Sequence, residues 1–374
     1  MSETDSKDLE IQLLSQQLSK LFPDSIGKSS EVKFTKIGSG TAGRIYMASN
    51  VKINERPVAI KLFGGEQFDL SLGEFLYAEN FKDEMAKYPG LLKVFGAEKF
   101  THEGKQFGIV LMEYCEKGDM ETLLEKNPGG ARMIMAKNFV SILYAVSAIH
   151  AKSYAHRDLK PGNIFIREDD TLAIGDPGGL LGPSMNTSKH KGTPLFMAPE
   201  IITSPNTSES INCMSDVWAI GMTIIYTMSG KNMTWGEDVR TVPQLIEIMK
   251  DRNCVSTKIE LMVKSVEGLN ILYKRTLCGM CAYDPVDRLS LEQAIMFTDG
   301  EEVMEPMEDR ETGGSDIEKG LKMSREEIMR IDEQNKNLRD RLIKFRKKWL
   351  STKATEKAKK ELDDIMTYSI KIGD

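Results

Sequence analysis

The spacing of apolar positions changes several times along the chain. Between residues 1 and 24, Ile11, Leu14, Leu18 and Leu21 recur at helical spacing and Pro23 stops the run, which predicts one short amphipathic helix. From about Val32 the pattern shortens to β-rich stretches, Lys33 to Ile37, Arg44 to Ser49, Pro57 to Phe63 and Phe107 to Tyr114, separated by Gly and Asn turns. These predict a small sheet. After Asp119 helical spacing returns and persists to about Phe297, most clearly in Phe139 to Ala151, Ser215 to Met228 and Val242 to Lys250. A β-rich first third followed by a helical remainder predicts an α+β protein in two lobes.

Beyond that stretch the character changes again. Residues 299–316 include Glu301, Glu302, Glu305, Glu308, Asp309, Gly313 and Gly314, an acidic, glycine-containing run that reads as a linker. Residues 317–374 read as a charged helical tail. In it Ile328, Asn335, Leu342 and Trp349 recur every seven residues, with Ile331, Leu338 and Phe345 between them, and Ser324 with Glu327 forms a capping box. Two readings stand side by side: a homodimeric coiled coil through residues 324–350, or a helix folded back onto the preceding domain.

Composition narrows the classes. With 374 residues, 40% apolar residues and a net charge of -6, the chain has ample material for a core. It lacks the Lys/Arg excess that a nucleic-acid coat requires. Met1 to Glu10 is polar and acidic, unlike a signal peptide, and no run of about 18 apolar residues is apparent. The expectation is a soluble cytoplasmic protein, nuclear access left open, with neither a membrane nor a nucleic-acid partner. Five cysteines, Cys115, Cys213, Cys254, Cys278 and Cys281, do not describe a disulfide framework. The lone C-x-x-C pair, Cys278 and Cys281, reads as core packing rather than metal or redox chemistry.

The chemistry concentrates in a few motifs. Gly38-Ser39-Gly40-Thr41-Ala42-Gly43 fits G-x-G-x-x-G, but Arg44-Ile45-Tyr46-Met47 continues as β sequence, whereas a dinucleotide fingerprint would open a helix. A glycine loop between antiparallel strands can lie over phosphates, because its amides approach closely without Cβ atoms. Val58-Ala59-Ile60-Lys61 delivers one ammonium among apolar neighbours, which needs an anion if it is buried. His156-Arg157-Asp158-Leu159-Lys160-Pro161-Gly162-Asn163 sets a carboxylate and an amide five residues apart on a proline-containing loop. Asp176-Pro177-Gly178 and Ala198-Pro199-Glu200 follow in order.

Taken together, these motifs resemble the eukaryotic protein kinase family, and the resemblance covers about residues 31–298. It implies a bilobal kinase domain, with an N-lobe at about 31–115 and a C-lobe at about 116–298, preceded by an extension over 1–30. It also implies ATP as phosphate donor, Mg2+ as cofactor, for which Mn2+ can substitute, and protein substrates. By this resemblance Gly38, Ser39, Gly40 and Gly43 cover the phosphates, Ile37 and Ile45 lie above the adenine and Ala59 beside it. Lys61 holds the α- and β-phosphates, Asn163 and Asp176 ligate the metal, Asp158 takes or steers the hydroxyl proton and Lys160 steadies the γ-phosphate. Met112 is the gatekeeper, and the backbones of Glu113 and Cys115 meet the adenine edge. The helix glutamate that orients Lys61 is expected at Glu79, eighteen residues on, with Glu74 as the fallback because Asp83 would fall where the family keeps an apolar residue.

The same resemblance has Asp216 tying down the catalytic loop and Arg288 pairing with Glu200. Lys160 together with Thr193 in Gly192 to Met197 follows the serine/threonine pattern, Thr193 bonding Asp158 and Lys160. Gly162 stands where a glutamate is frequent, so an acidic site for a basic substrate residue is expected to be missing. Arg157 implies regulation by phosphorylation of Ser184, Thr187 or Ser188. The departure is Asp176-Pro177-Gly178 in place of Asp-Phe-Gly: the expectation is weaker packing under the glutamate helix and an Asp176 confined to extended ψ. The alternative is a nucleotide-binding pseudokinase or scaffold acting through its terminal helices.

Overall fold

In the N-terminal sheet, side-chain alternation sends apolar residues to both faces, which is why β3 reads as an almost unbroken apolar run. The protein is represented by a computed structural model that describes residues 3–21, 32–40, 43–53, 56–64, 72–180, 182, 192–203, 209–230, 235 and 241–298. Strands β1 (Lys33–Gly40), β2 (Gly43–Ile53), β3 (Arg56–Gly64), β4 (Val94–His102) and β5 (Lys105–Glu113) form an antiparallel sheet in the order β1-β2-β3-β5-β4.

On the outer face Val58, Ile60, Leu62, Ile109 and Leu111 pack against Leu13, Leu14 and Leu18 of helix α1 (Glu3–Leu21). On the inner face Phe63 and Val110 pack against Phe75 of α2 (Leu72–Asn80), with Met112 alongside. The predicted N-terminal helix therefore exists, and its buried stripe extends to Leu13. After α2 the chain breaks at Phe81 and resumes as α3 (Lys82–Lys87). Phe81 is fully buried, stacked on Tyr77 at 5.2 Å and edge-on to Tyr154 at 5.4 Å, so the break is held between the lobes by aromatic packing.

The helical lobe comprises α4 (Met120–Lys126), α5 (Pro128–His150), the hairpin β6 (Ile164–Ile166) and β7 (Leu172–Ile174), α6 (Pro199–Thr203), α7 (Glu209–Met228), α8 (Val242–Met249), α9 (Arg252–Lys264), α10 (Ile271–Met280) and α11 (Leu291–Thr298). Polar caps define several starts: Asp119 accepts from Thr122 N at 2.8 Å ahead of α4, Asn127 accepts from Gly130 N with Pro128 opening α5, and Thr241 with Gln244 boxes α8. The strongest apolar stretches sit in α5 and α7, both longer than their periodicity alone suggested.

By length and hydropathy α5 could span a bilayer, contrary to the expectation from the sequence, yet two-thirds of that stretch is buried inside the domain. Cys281 is buried at the end of α10, its Sγ donating to the Trp218 carbonyl, and burial pushes the Cys278 thiol up to about 11. Cys281 packs in the core, as expected, and Cys278 is half-buried. The heptad tail, the acidic linker and Ser184, Thr187 and Ser188 lie outside the described residues.

The covering of the sheet by α1 is testable. Leu14→Ala removes a fully buried side chain between helix and sheet and should lower the unfolding free energy by about 2–4 kcal/mol. Urea denaturation measures it, and a change within the error of the midpoint would show that α1 does not pack there.

Candidate active site

Strand register gathers the cleft side chains. Ile45 pairs with Lys61 and Lys61 with Val110, while Met47 pairs with Ala59 and Ala59 with Met112. Cross-strand partners share a face, so Ile45, Ala59, Lys61 and Met112 line one surface. The glycine hairpin closes through Gly40 opposite Gly43, with Thr41 and Ala42 outside the described residues. Gly43 is needed for close approach: a Cβ there would fall 2.7 Å from the Leu62 carbonyl oxygen. Gly38 lies over Ile45, Ser39 is exposed, and Ile37 at the rim is 44% exposed.

Lys61 Nζ lies 2.7 Å from Glu74 Oε1 and 2.7 Å from Asp176 Oδ1. Burial works against its charge, but the two carboxylates outweigh it and hold the lysine pKa above its usual value. The orienting glutamate is therefore Glu74, and the assignment to Glu79 is corrected: Glu79 is exposed on the far side of α2. Counting from Lys61 assumed an average loop, and counting back from Tyr88-Pro89-Gly90 did not allow for α3. Ala78, one turn after Glu74, is buried, and Asp83 is exposed.

At the hinge, Met112 contacts the packing on both sides of the cleft, including Leu92, Cys115 and Ala173. Tyr114 N donates to Pro57 O, so Glu113 and Val58 form a non-hydrogen-bonded pair and the Glu113 backbone is directed away from β3. Its carboxylate does what the sequence did not suggest. Arg167 grips it bidentately at 2.9 and 2.7 Å, Arg56 reaches it at 2.5 Å and Lys93 N donates at 2.8 Å. Burial raises the carboxyl pKa, but Arg167 outweighs it and the group stays below its ordinary value. Arg167 also donates to Leu91 O and Leu172 O, joining the hinge to the β6–β7 hairpin. A lone arginine after Ile164-Phe165-Ile166 was the available signal, since a cation beside a buried strand needs a partner. Burial raises the Cys115 thiol to about 12.

The catalytic loop is fixed from beneath. Asp216, buried in α7, accepts from the backbone N–H of His156 at 2.7 Å and of Arg157 at 2.8 Å. These bonds hold Arg157 at φ 69°, a left-handed conformation costly for a non-glycine residue. Above it, Lys160 Nζ lies 2.9 Å from Asp158 Oδ2 and 3.0 Å from Thr193 Oγ1, and Thr193 donates to Asp158 Oδ1 at 3.4 Å. Asn163 Nδ2 donates to the Asp158 backbone carbonyl at 2.7 Å and to its Oδ2 at 3.0 Å. Asp158, Lys160, Asn163 and Thr193 thus form one hydrogen-bonded group. Arg288 clasps Glu200 at 2.6 and 2.7 Å.

Asn163 and Asp176 fit a divalent-cation site by donor chemistry. With Asn163 Nδ2 committed to Asp158, its Oδ1 is the donor left for a metal. Asp176 is ionised, because the Lys61 charge outweighs the burial that opposes it. Both offer the hard oxygen ligands that Mg2+ prefers.

Three expectations for nearby residues change. Asp176 is not extended but left-handed, φ 50° and ψ 60°, a conformation aspartate tolerates better than most residues. Nor does loss of the aromatic ring leave α2 unsupported. Gly73 sits so close to the Asp-Pro-Gly segment that a Cβ would lie 2.2 Å from Pro177 O, and Glu74 flanks Gly178. Backbone contact holds α2 to this segment. At Gly162 a Cβ would lie 3.0 Å from Glu121 Oε2, so a carboxylate does stand beside the loop, supplied by α4.

Comparison with known proteins agrees with this geometry. The family described as the protein kinase domain matches residues 32–297, and the chain belongs to that family. Mitogen-activated protein kinase kinase kinase 20 of Arabidopsis thaliana is 29% identical over 157 residues, 40% of this chain and 45% of the relative. Mitogen-activated protein kinase kinase kinase kinase 3 of Homo sapiens is 28% identical over 195 residues, 51% of this chain and 21% of the relative. Mitogen-activated protein kinase kinase kinase 5 of Arabidopsis thaliana is 27% identical over 238 residues, 61% of this chain and 32% of the relative. The chain spans less than half the length of each.

Two substitutions probe the site's construction. Gly73→Ala should force α2 away from Pro177 at a cost of about 1–3 kcal/mol, detectable as a lower melting temperature and lost contacts between α2 and Gly178 by NMR. Unaltered stability would contradict the close approach. Arg167→Met leaves Glu113 buried with a weaker set of partners and should cost about 3–5 kcal/mol in denaturant titration.

Proposed function

We propose that this chain transfers the γ-phosphate of ATP to serine or threonine hydroxyls of protein substrates. The observation that carries the proposal is the joining of two groups, Lys61 held by Glu74 and Asp176, and Asp158 held by Lys160, Asn163 and Thr193, through the Gly175 N–H that donates to the Asn163 carbonyl at 3.0 Å. In this reading the Gly38–Gly43 hairpin covers the phosphates, with Ile37, Ile45 and Ala59 around the adenine and the Glu113 and Cys115 backbones along its edge. Lys61 binds the α- and β-phosphates as an ammonium. Asp158 accepts the hydroxyl proton, and Lys160 offsets charge developing on the transferred group. Asn163 and Asp176 hold Mg2+, whose charge, when bound, neutralises phosphate oxygens.

Serine/threonine choice is inferred from Lys160 and Thr193, whose contacts shape the floor on which a substrate hydroxyl would approach Asp158. The relatives' names, kinases of kinases, support protein rather than small-molecule substrates. Regulation is proposed through Arg157. Burial pulls its guanidinium pKa down, so a phosphate on Ser184, Thr187 or Ser188 would stabilise its charge through charge-assisted hydrogen bonds.

The test is transfer from labelled ATP to a generic protein substrate and to oriented peptide libraries. Asp158→Asn should lower kcat at least about 100-fold. Glu74→Gln should lower kcat/KM by about tenfold or more, while Glu79→Gln stays within about twofold. ATP-induced stabilisation of the wild-type chain without transfer to any substrate would overturn the enzymatic reading in favour of a scaffold.

A further inference from the structure

Helix α1 reaches the root of the glycine hairpin with a charge. Glu10 is 7% exposed, yet its Oε1 lies 3.0 Å from Arg44 Nε and its Oε2 accepts a hydrogen bond from Tyr46 Oη. Arg44 directly follows Gly43, and Arg44, Tyr46 and Ala48 alternate onto the outer face of β2, opposite the face that carries Ile45. Further along α1, Lys20 pairs with Glu98 of β4. The helix is thus held at Glu10, near its middle, and at Lys20 in its last turn, with Leu13, Leu14 and Leu18 buried between these two points.

Covering the sheet does not explain Glu10. A leucine there would bury comparable apolar area without the cost of taking a carboxylate out of water. What the carboxylate supplies is a directed hydrogen bond to Tyr46 and a counter-charge beside Arg44, two alternate side chains of the strand that leaves the glycine loop. That strand needs such support. Its partner β1 is the sheet edge, exposed at Lys36, Ile37 and Ser39, and the β2–β3 register slips between Ala48 and Lys52. Near the loop, β2 is paired with the edge strand through Arg44 opposite Ser39 and with β3 through Arg44 opposite Leu62, and it meets α1 through Glu10.

We infer that Glu10 is a positioning residue for the glycine hairpin, and that docking of α1 sets how tightly the hairpin holds the phosphates of ATP. The consequence for ATP rests on the nucleotide reading of the site proposed above; the positioning itself does not. Glu10 touches no reacting group and acts through Arg44 and Tyr46. An N-terminal segment that detached from the sheet would release the loop without disturbing Lys61, Asp158 or Asp176.

The experiment compares the full chain with Glu10→Gln and, should that variant fold poorly, with Arg44→Gln. Hydrogen exchange is the first readout. Amides of 38–46 should exchange about tenfold faster in either variant, while those of 105–113 in β5 keep their wild-type rates. The second readout is steady-state kinetics: KM for ATP should rise about fivefold with kcat within about twofold. The double variant should show no more than the larger single effect, because both substitutions remove one interaction. Unchanged exchange at 38–46, or faster exchange spread equally over β5, overturns the positioning role. Faster exchange with an unchanged KM overturns the link to ATP. A wild-type chain that neither binds nor uses ATP overturns the nucleotide reading instead, and exchange at 38–46 still decides the role of Glu10.

Discussion

The ammonium of Lys61 is the constraint on which the arrangement of this molecule depends. It is 7% exposed, and it stays charged because carboxylates from two different parts of the fold stand at 2.7 Å. Glu74 comes from the helix packed under the sheet and Asp176 from the loop after β7, so the pairing requires both lobes at once. A buried cation with one partner removed is a large penalty. The structure therefore commits many unrelated features to keeping the pair of carboxylates in place: the close approach at Gly73, the aromatic stack at Phe81, and the Asp216 bonds that set the level of the catalytic loop.

Rigid polar clasps recur wherever a flexible loop must hold a functional backbone. Arg167 with Glu113 does this at the hinge, Asp216 at the catalytic loop and Arg288 with Glu200 at the end of the activation segment. Each is a buried charge whose hydrogen bonds end on backbone or on a fixed counter-charge, which is the condition under which burying it is tolerable. The apolar core alone would position helices and strands, but not carbonyls and amides to within a hydrogen bond. Glu10 is a further buried charge, on helix α1, but its hydrogen bond ends on the Tyr46 hydroxyl, with Arg44 as its counter-charge.

Pro177 illustrates how one departure is absorbed. Where the Asp-Phe-Gly pattern has an aromatic ring this chain has Pro177, and Gly73 of the helix meets the backbone of Pro177 and Gly178 directly. Asp176 adopts a left-handed conformation in front of this proline. The adjustment is local: Lys61 still reaches both carboxylates.

How much of this was legible in the chain follows from which interactions are local. Gly38 to Gly43, Lys61, Asp158, Asn163 and Asp176 were readable because each lies in a short motif whose spacing is itself the chemical requirement. The two-lobed α+β division was readable because hydrophobic period depends only on neighbours in sequence. Glu74 was not fixed by such reasoning: its distance from Lys61 depends on a loop length and on the added helix α3, and no local rule supplies either. The partners of Arg167 and Glu10 could not be named for a related reason, since a lone charge shows that it needs a partner but discloses which one only when the chain has folded 54 residues back to Glu113 or 34 residues on to Arg44. Sequence alone determined which chemical groups this protein carries and the period of the elements that carry them. Tertiary structure decided which of several eligible charges meet, because electrostatic pairing is set by distance and burial, and both are properties of the folded chain.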